Sequence, residues 1–336
     1  MKEIRSFLYK IHFHIRGRLL SEAKKRGKEK EFYASYRHMK KNKIKKHNPD
    51  NFFAARPNPG AGVGHQIANW TAGYWYAKVF DLKFAHIPFC SSHIPNDVNQ
   101  WEKYLNLGSD EITFAQLKKD GYKTVKLPIF NGESEEELNF IREIIDSYGN
   151  QRIVFLAEQD QFYYRQYDII PDLQRKYFAI HSKTEAYRYK EDSYNVAIHV
   201  RRGDIVQASG AKNPNLTMRF QENTYFVQAL ESALEFLSKS HQNIHIYLFS
   251  QGKEEDYPEF KKYTNFHFCL DMGAKESFTH MVFADALITS KSSFSYKPAL
   301  FNQGLKFCPK NFWHGYPSDS NWIMLDDYGF IINGEL

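Results

Sequence analysis

The segment IHVRRGDIV at 198–206 ends an apolar stretch in two arginines, a glycine and an aspartate. A guanidinium is a rigid fork of donors that matches a phosphate or a carboxylate. Successive side chains of a strand point to opposite faces, so Arg201 and Arg202 do not address one ligand together. One is expected to bind and the other to brace, and Gly203 permits a sharp turn out of the strand. A surface salt bridge is the plain alternative for such a cluster. A second segment, ALITSKSSFSYKPAL at 286–300, reads as a strand, a hydroxyl-rich turn and a helix start. Ser292, Ser293 and Ser295 suit helix capping, and the same helix end suits a phosphate or ribose; the two roles can coexist. A third segment, GAGVGH at 60–65, opens a helix whose backbone N–H groups around Gly62 and Gly64 can face an anion. It is neither a dinucleotide fingerprint, which needs glycine where His65 stands, nor a loop ending in Gly-Lys-Ser/Thr. A tight loop packed on its neighbour is the equal alternative.

These segments need strands that end together. Apolar β-branched runs at 196–200, 244–249, 266–270, 286–289 and 305–308 alternate with helical patterns at 222–237, 253–263, 277–284 and 298–302. Strands separated by helices require parallel crossovers, so residues 191–336 are expected to form a doubly wound α/β domain. The preceding stretch, 51–190, is similar in kind, with strands expected at 83–89, 124–130 and 153–157 and helices at 66–80 and 135–148. Two such domains facing each other imply a cleft at the carboxyl ends of their strands.

The chain has 336 residues, of which 42% are hydrophobic, 16% aromatic and 25% charged, which excludes disorder, collagen-like sequence and a small disulfide framework. Its apolar runs are too short for a membrane-spanning helix or a secretory signal, and a cytoplasmic protein is expected. Cys90, Cys269 and Cys308 form no CxxC pair and read as reduced thiols rather than a zinc site. Charge is unevenly spread: residues 1–50 hold 16 Lys and Arg against 5 Asp and Glu, and the remainder 29 against 34. In that basic segment Ile4, Phe7, Leu8, Ile11, Ile15 and Leu19 recur at helical spacing, and the run KKNKIKK at 40–46 reads as a solvated linker. The stripe either docks on its own domain or, through residues 1–46, lies peripherally on the anionic inner face of a membrane. Nucleic acid ranks behind both, because the body carries no basic stripe and no RNA-recognition pattern, and none is expected as a partner.

Taken together, the segments resemble the fucosyltransferases that use GDP-fucose, most closely the alpha-1,2-fucosyltransferase family and more distantly the alpha-1,6 and protein-O-fucosyltransferase families. HVRRGD at 199–204 matches an HxRRGD strand end, and Gly62, Gly64, His65 and Gln66 match a GxGNQ-like start. DQFYY at 160–164 matches a Gln/Tyr/Phe-rich segment, YLFSQG at 247–252 stands where that family has YxFSDD, and SKSSFSY at 290–296 where it has NSSFSWW. The resemblance implies two Rossmann-like α/β domains facing a cleft, the GT-B glycosyltransferase type, with the nucleotide-sugar donor held in the C-terminal one without metal or cofactor. It implies that Arg201 holds the donor β-phosphate, that His199 lies near the nucleoside, and that Arg202 and Asp204 brace the strand end. Ser292 and Ser293 meet the diphosphate. Asp204 is a candidate base, and Glu158 or Asp160, across the expected cleft, rank behind it. Gln251, Gly62, Gly64 and His65 complete the expected donor contacts.

There are two departures. Gln251 replaces an aspartate, and an amide oxygen does not accept two parallel donors of a guanine edge as a carboxylate does. Tyr296 and Lys297 replace an aromatic pair. The acid pairs Glu158/Asp160 and Asp326/Asp327 are not DxD metal motifs. The implied activity is inverting transfer of L-fucose from GDP to a glycan hydroxyl, of alpha-1,2 type, in surface polysaccharide or lipopolysaccharide synthesis. Transfer of another nucleotide-activated sugar, and nucleic-acid binding through the basic N-terminus, are the alternatives.

Overall fold

Short apolar runs covered on both faces frame each half of the chain, as parallel sheets require. A computed structural model describes residues 15–39, 46–57, 62–89, 101–132, 134–158, 167–203, 219–270 and 272–332. The head of the basic stripe, the linker up to Lys45, Cys90, the DQFYY segment and Asp204 lie outside the described residues. The chain divides into two units, Met1–Ile169 and Ile170–Leu336.

The first unit carries β1 (Phe52–Ala55), β2 (Lys83–Phe84), β3 (Lys123–Lys126) and β4 (Ile153–Ala157), all parallel in the order β2-β1-β4-β3. Every residue of β1 and β4 is buried. Helix α1 (Val63–Val79) packs on β1, and α2 (Glu135–Asp146) starts at Ser134, whose hydroxyl accepts the Glu137 N–H at 3.1 Å. The second unit carries β5 (Tyr194–His199), β6 (Ile244–Phe249), β7 (Phe266–Cys269), β8 (Ala286–Ile288), β9 (Leu305–Pro309) and β10 (Trp322–Leu325). Its helices are α3 (Ile170–Phe178), α4 (Asn223–Leu237), α5 (Ala274–Phe283) and α6 (Ser293–Phe301). Val196, Ile198, Leu248 and Ile288 pack with Phe226 and Leu230 of α4 in one hydrophobic core.

Several expected elements change. The strand at 83–89 contracts to β2, and 253–263 is not an α-helix but two 3-10 turns, Glu254–Asp256 and Pro258–Phe260, with Pro258 supplying no amide hydrogen for a continuous ladder. The helix at 298–302 is the second half of α6, which starts within the serine turn. β1 and β10 are additional strands. The units part at Ile170 rather than at residue 190, because α3 packs on α6.

Residues 1–50 are also not a separate module where they are described. Leu20 and Tyr33 are buried, and Tyr33 Oη donates at 2.7 Å to Glu137, whose other oxygen accepts the N–H groups of Asn131 and Gly132 at 2.8 Å. Arg16 donates to the Leu127 carbonyl, Lys24 reaches Glu137 at 3.3 Å, and Arg37 pairs with Glu143. The helix at 15–25 thus docks through Arg16, Leu20 and Lys24, while Ile15 and Leu19 of the expected stripe stay 53% and 55% exposed.

Gly73 lets α1 lie close on the first sheet: a Cβ there would stand 2.7 Å from Ala55 Cβ and 3.3 Å from Ala55 N. Alanine normally stabilises a helix interior by about 1 kcal/mol over glycine. Here the sign reverses, and Gly73→Ala is expected to lose about 1–3 kcal/mol in urea unfolding through overpacking. An unchanged or higher midpoint would mean that the helix is not seated on β1.

Candidate functional site

The second sheet runs β7-β6-β5-β8-β9-β10, all parallel. Counted from β5 this is the order 3-2-1-4-5-6, so the winding reverses between β5 and β8, and a crevice opens beyond their carboxyl ends. β5 ends at His199 and β8 at Ile288, so the arginines and the serine turn leave the sheet side by side. Direct contact joins them: His199 Nδ1 lies 2.8 Å from Ser290 Oγ, across 91 positions of sequence.

The turn is closed by its own hydroxyls. Ser295 Oγ accepts the Ser290 N–H at 3.1 Å, Ser292 is the N-cap of α6 and accepts from Phe294 N at 3.2 Å, and Ser293 Oγ lies 2.9 Å from His314 Nε2. Within that first turn the Phe294 N–H is taken by Ser292 Oγ and the Ser295 N–H by the Ser292 carbonyl, so it is the Ser293 N–H and the positive end of α6 that stand at the crevice end of the sheet, where helix geometry favours negative charge.

The two arginines differ. Arg202 turns back: Nη1 donates to the carbonyls of Arg201 at 2.8 Å and Gln221 at 3.0 Å, Nη2 donates to Asn223 Oδ1 at 2.5 Å, and the guanidinium lies 4.9 Å from the centre of the Phe220 ring. It ties the end of β5 to the start of α4. Arg201, the preceding residue, is half-buried at the same strand end. Gly203 has φ +72, and a Cβ on it would stand 2.0 Å from Gln251 Oε1, so the Gln251 side chain lies directly against this turn. Ser250, just before it, donates to the Val200 carbonyl at 2.6 Å.

Among the expected contacts, His199, Arg201, Arg202, Gln251, Ser292 and Ser293 therefore gather at one end of the second sheet. Gly62, Gly64 and His65 belong to the first unit, at the start of α1, where Gly62 is the N-cap. A Cβ on Gly62 would meet nothing within 4 Å, so close packing does not explain the glycine. Gln221 has no motif to announce it, yet its carbonyl accepts from Arg202 and its Oε1 accepts the Lys291 N–H at 2.9 Å, joining both segments a second time. His314, against Ser293, is likewise invisible in sequence, since its approach depends on the loop after β9.

The fold is similar to solved glycosyltransferase structures. One of POFUT1 in complex with GDP has a TM-score of 0.46 at 12% identity, covering 78% of this chain and 99% of that one. The fucosyltransferase NodZ from Bradyrhizobium gives 0.43 at 9%, covering 75% and 94%, and the E. coli heptosyltransferase WaaC with ADP gives 0.40 at 10%, covering 82% and 93%. No protein-family model matches the chain, and no curated protein matches it. Likeness at this level assigns neither residues nor substrate, so the chemistry rests on the geometry above.

Glu158, Asp326 and Asp327, the described members of the two acid pairs, are committed to partners. Glu158 Oε1 meets Arg56 Nη1 and Oε2 meets Lys126 Nζ, each at 3.0 Å. Asp326 accepts the N–H groups of Tyr328 and Phe330 at 2.9 Å, and Asp327 accepts from Asn311. Among the described residues no three His, Cys, Asp or Glu converge as a metal site. Cys308 is buried and its thiol is pushed up to about 12 by burial, far from a nucleophilic thiolate.

His199 is 5% exposed. Burial first, then the charges of Arg201 and Arg202, push its imidazole down to about 3, so it is neutral at physiological pH. Between about pH 6.5 and 3 the unfolded chain gains a proton on this residue that the folded chain does not, so stability must fall with acidification. Replacing His199 by Gln keeps a partner for Ser290 and removes the titration. The slope of unfolding free energy against pH between 6 and 4 should then flatten by up to about 1.4 kcal/mol per pH unit. Equal slopes in the two proteins would show that His199 is not buried neutral.

Proposed function

We propose that the second unit binds a nucleotide-sugar donor and that the chain is an inverting glycosyltransferase of the GT-B type, moving L-fucose from GDP-fucose to a glycan hydroxyl. The observation that carries this reading is the meeting of HVRRGD and SKSSFSY at the strand-order reversal of the second sheet, sealed by the His199–Ser290 contact. In the proposed reaction the acceptor oxygen attacks the anomeric carbon, the bond to the diphosphate oxygen breaks, and the hydroxyl proton passes to Asp204. Negative charge grows on the leaving diphosphate. In this reading Arg201 and the positive end of α6 stand in place before reaction and stabilise that charge without reorganising. Arg202 keeps Arg201 in place through its bonds to the Arg201 and Gln221 carbonyls. With positive charge supplied this way, the reaction as proposed uses no metal and no cofactor. The alpha-1,2 linkage and a role in surface polysaccharide or lipopolysaccharide assembly follow from the sequence resemblance.

A screen of GDP-, UDP- and ADP-sugars that detects released nucleotide, run with and without excess EDTA, tests the reading. Turnover of GDP-fucose that survives EDTA is expected, and no turnover of any donor would overturn it. Gln251 makes the base the first property to check. In the same assay Arg201→Ala should cost about 2–4 kcal/mol of transition-state stabilisation, roughly 30- to 1000-fold in rate, with a native circular-dichroism spectrum. Near-normal turnover in that variant would remove Arg201 from the mechanism, and Asp204→Asn tests the base in the same way.

We also propose that the helix at 15–25 rests on an anionic lipid surface, bringing the enzyme to a membrane-attached glycan. Exposed Ile15 and Leu19 beside Arg18 and Lys25 support this, as does the basic excess of residues 1–50. Deleting 1–46 would uncover Tyr33 and the core beneath it, so the discriminating variant is Ile15→Glu with Leu19→Glu. The unaltered protein should sediment with acidic vesicles at low salt and release as salt rises. Equal sedimentation of the double variant would refute the contact.

A further inference from the structure

Lys297 stands on α6, four residues after Ser293, and is only 4% exposed. Residues four apart share a helix face, and side chains lean toward the helix N-terminus, so its stem runs back along the first turn. Its Nζ lies 5.3 Å from the centre of the Tyr296 ring. That ring stacks on His314 at 4.6 Å and 4°, and His314 Nε2 is 2.9 Å from Ser293 Oγ. Lys297, Tyr296, His314 and Ser293 thus form one contiguous group at the crevice end of α6.

Among the described residues Lys297 has no hydrogen bond and no ion pair. The helices packed on α6 carry Asp172, Arg175 and Lys176 on α3 and Lys275, Glu276 and His280 on α5, and none of them pairs with it. Burial alone pushes its ammonium down to about 7. A buried charge without a partner is costly, and a lysine in this position sheds its proton until an anion arrives.

We propose that Lys297 is the switchable cation of the donor site: it completes an anion cradle with Ser293 and the positive end of α6, and gains a proton when a nucleoside diphosphate binds. The proposal rests on the donor-binding reading above and deepens it. An anion close by favours the charged amine, so binding draws in a proton. By linkage, binding weakens as pH rises above neutrality. When the diphosphate departs the proton is released again. An aromatic residue at this position, as in the NSSFSWW turn, supplies no such charge.

Calorimetry of GDP binding to the full-length protein at pH 8, in two buffers of different ionisation enthalpy, counts the protons exchanged. At that pH the diphosphate is already ionised, its second ionisation lying near 6, whereas a group titrating near 7 is about nine-tenths neutral. The protein should take up about 0.5–0.9 proton, and its affinity should fall by up to about tenfold per pH unit between 7.5 and 9. K297M should bind more weakly with no uptake, and K297R, always charged, should bind with no uptake and no such pH dependence. No uptake by the unaltered protein, or equal uptake by K297M, overturns the role of Lys297 while leaving nucleotide binding intact. If the folded protein binds none of GDP, UDP or ADP, the donor-site reading falls and this inference with it.

Discussion

Neighbouring parallel strands whose chains wind away from each other must part at their carboxyl ends, and in the second unit these strands are β5 and β8. Their register pairs Val196 with Ala286 and Ile198 with Ile288. One step further on, β5 presents His199, and two steps past Ile288 the segment leaving β8 presents Ser290, close enough for their side chains to meet. Each remaining contact of the site follows from that separation. Arg202 and Gln221 bind the first strand end to α4, Gln221 also holds Lys291, and Ser295 folds the serine turn onto itself. Groups held by this many short bonds are suited to charge that develops during a reaction, since no part of the response has to be assembled at that moment.

The same geometry concentrates positive charge and suppresses competing ionisation. His199 sits between the serine turn and two arginines and is held neutral. Among the described acids, Glu222 and Glu259 act on the bracing Arg202, whereas Asp327 lies 3.6 Å from Lys291 of the serine turn. Gln251, packed over Gly203, adds polarity at the strand end without adding negative charge. A carboxylate in its place would recognise a guanine edge better but would also offset the arginines.

Much of this was legible from local pattern. The strand at 244–249 and the one at 153–157 match β6 and β4 residue for residue, because continuous apolar runs between turn signals have few alternatives. The serine turn was readable as a helix start because Ser292 is a good N-cap. β1 was not, since four residues of FFAA next to a polar linker carry no periodicity, and their burial comes from β2 and β4 on either side. The helical pattern at 253–263 stops at Pro258, which has no N–H for the ladder. In the site, charged and hydroxyl side chains in motifs could be named, whereas Gln221 and His314 could not. Their partners lie 70 and 21 positions away, and only the fold supplies the proximity.

The N-terminal helix shows why a pattern that reads as a choice need not be one. Docking on the body and contact with a lipid surface compete only if both need the same face. Arg16, Leu20 and Lys24 are four apart and share one face, and that face meets the Leu127 carbonyl and Glu137. Ile15 and Leu19 lie about 100° around the axis, on a neighbouring face that the body leaves open. The interactions that hold the helix in place therefore also fix which apolar residues point outward. A free basic helix would have to fold as it reached a surface and bear the ordering entropy then. Here that cost is met within the first unit, where Arg16, Leu20 and Lys24 already hold the helix.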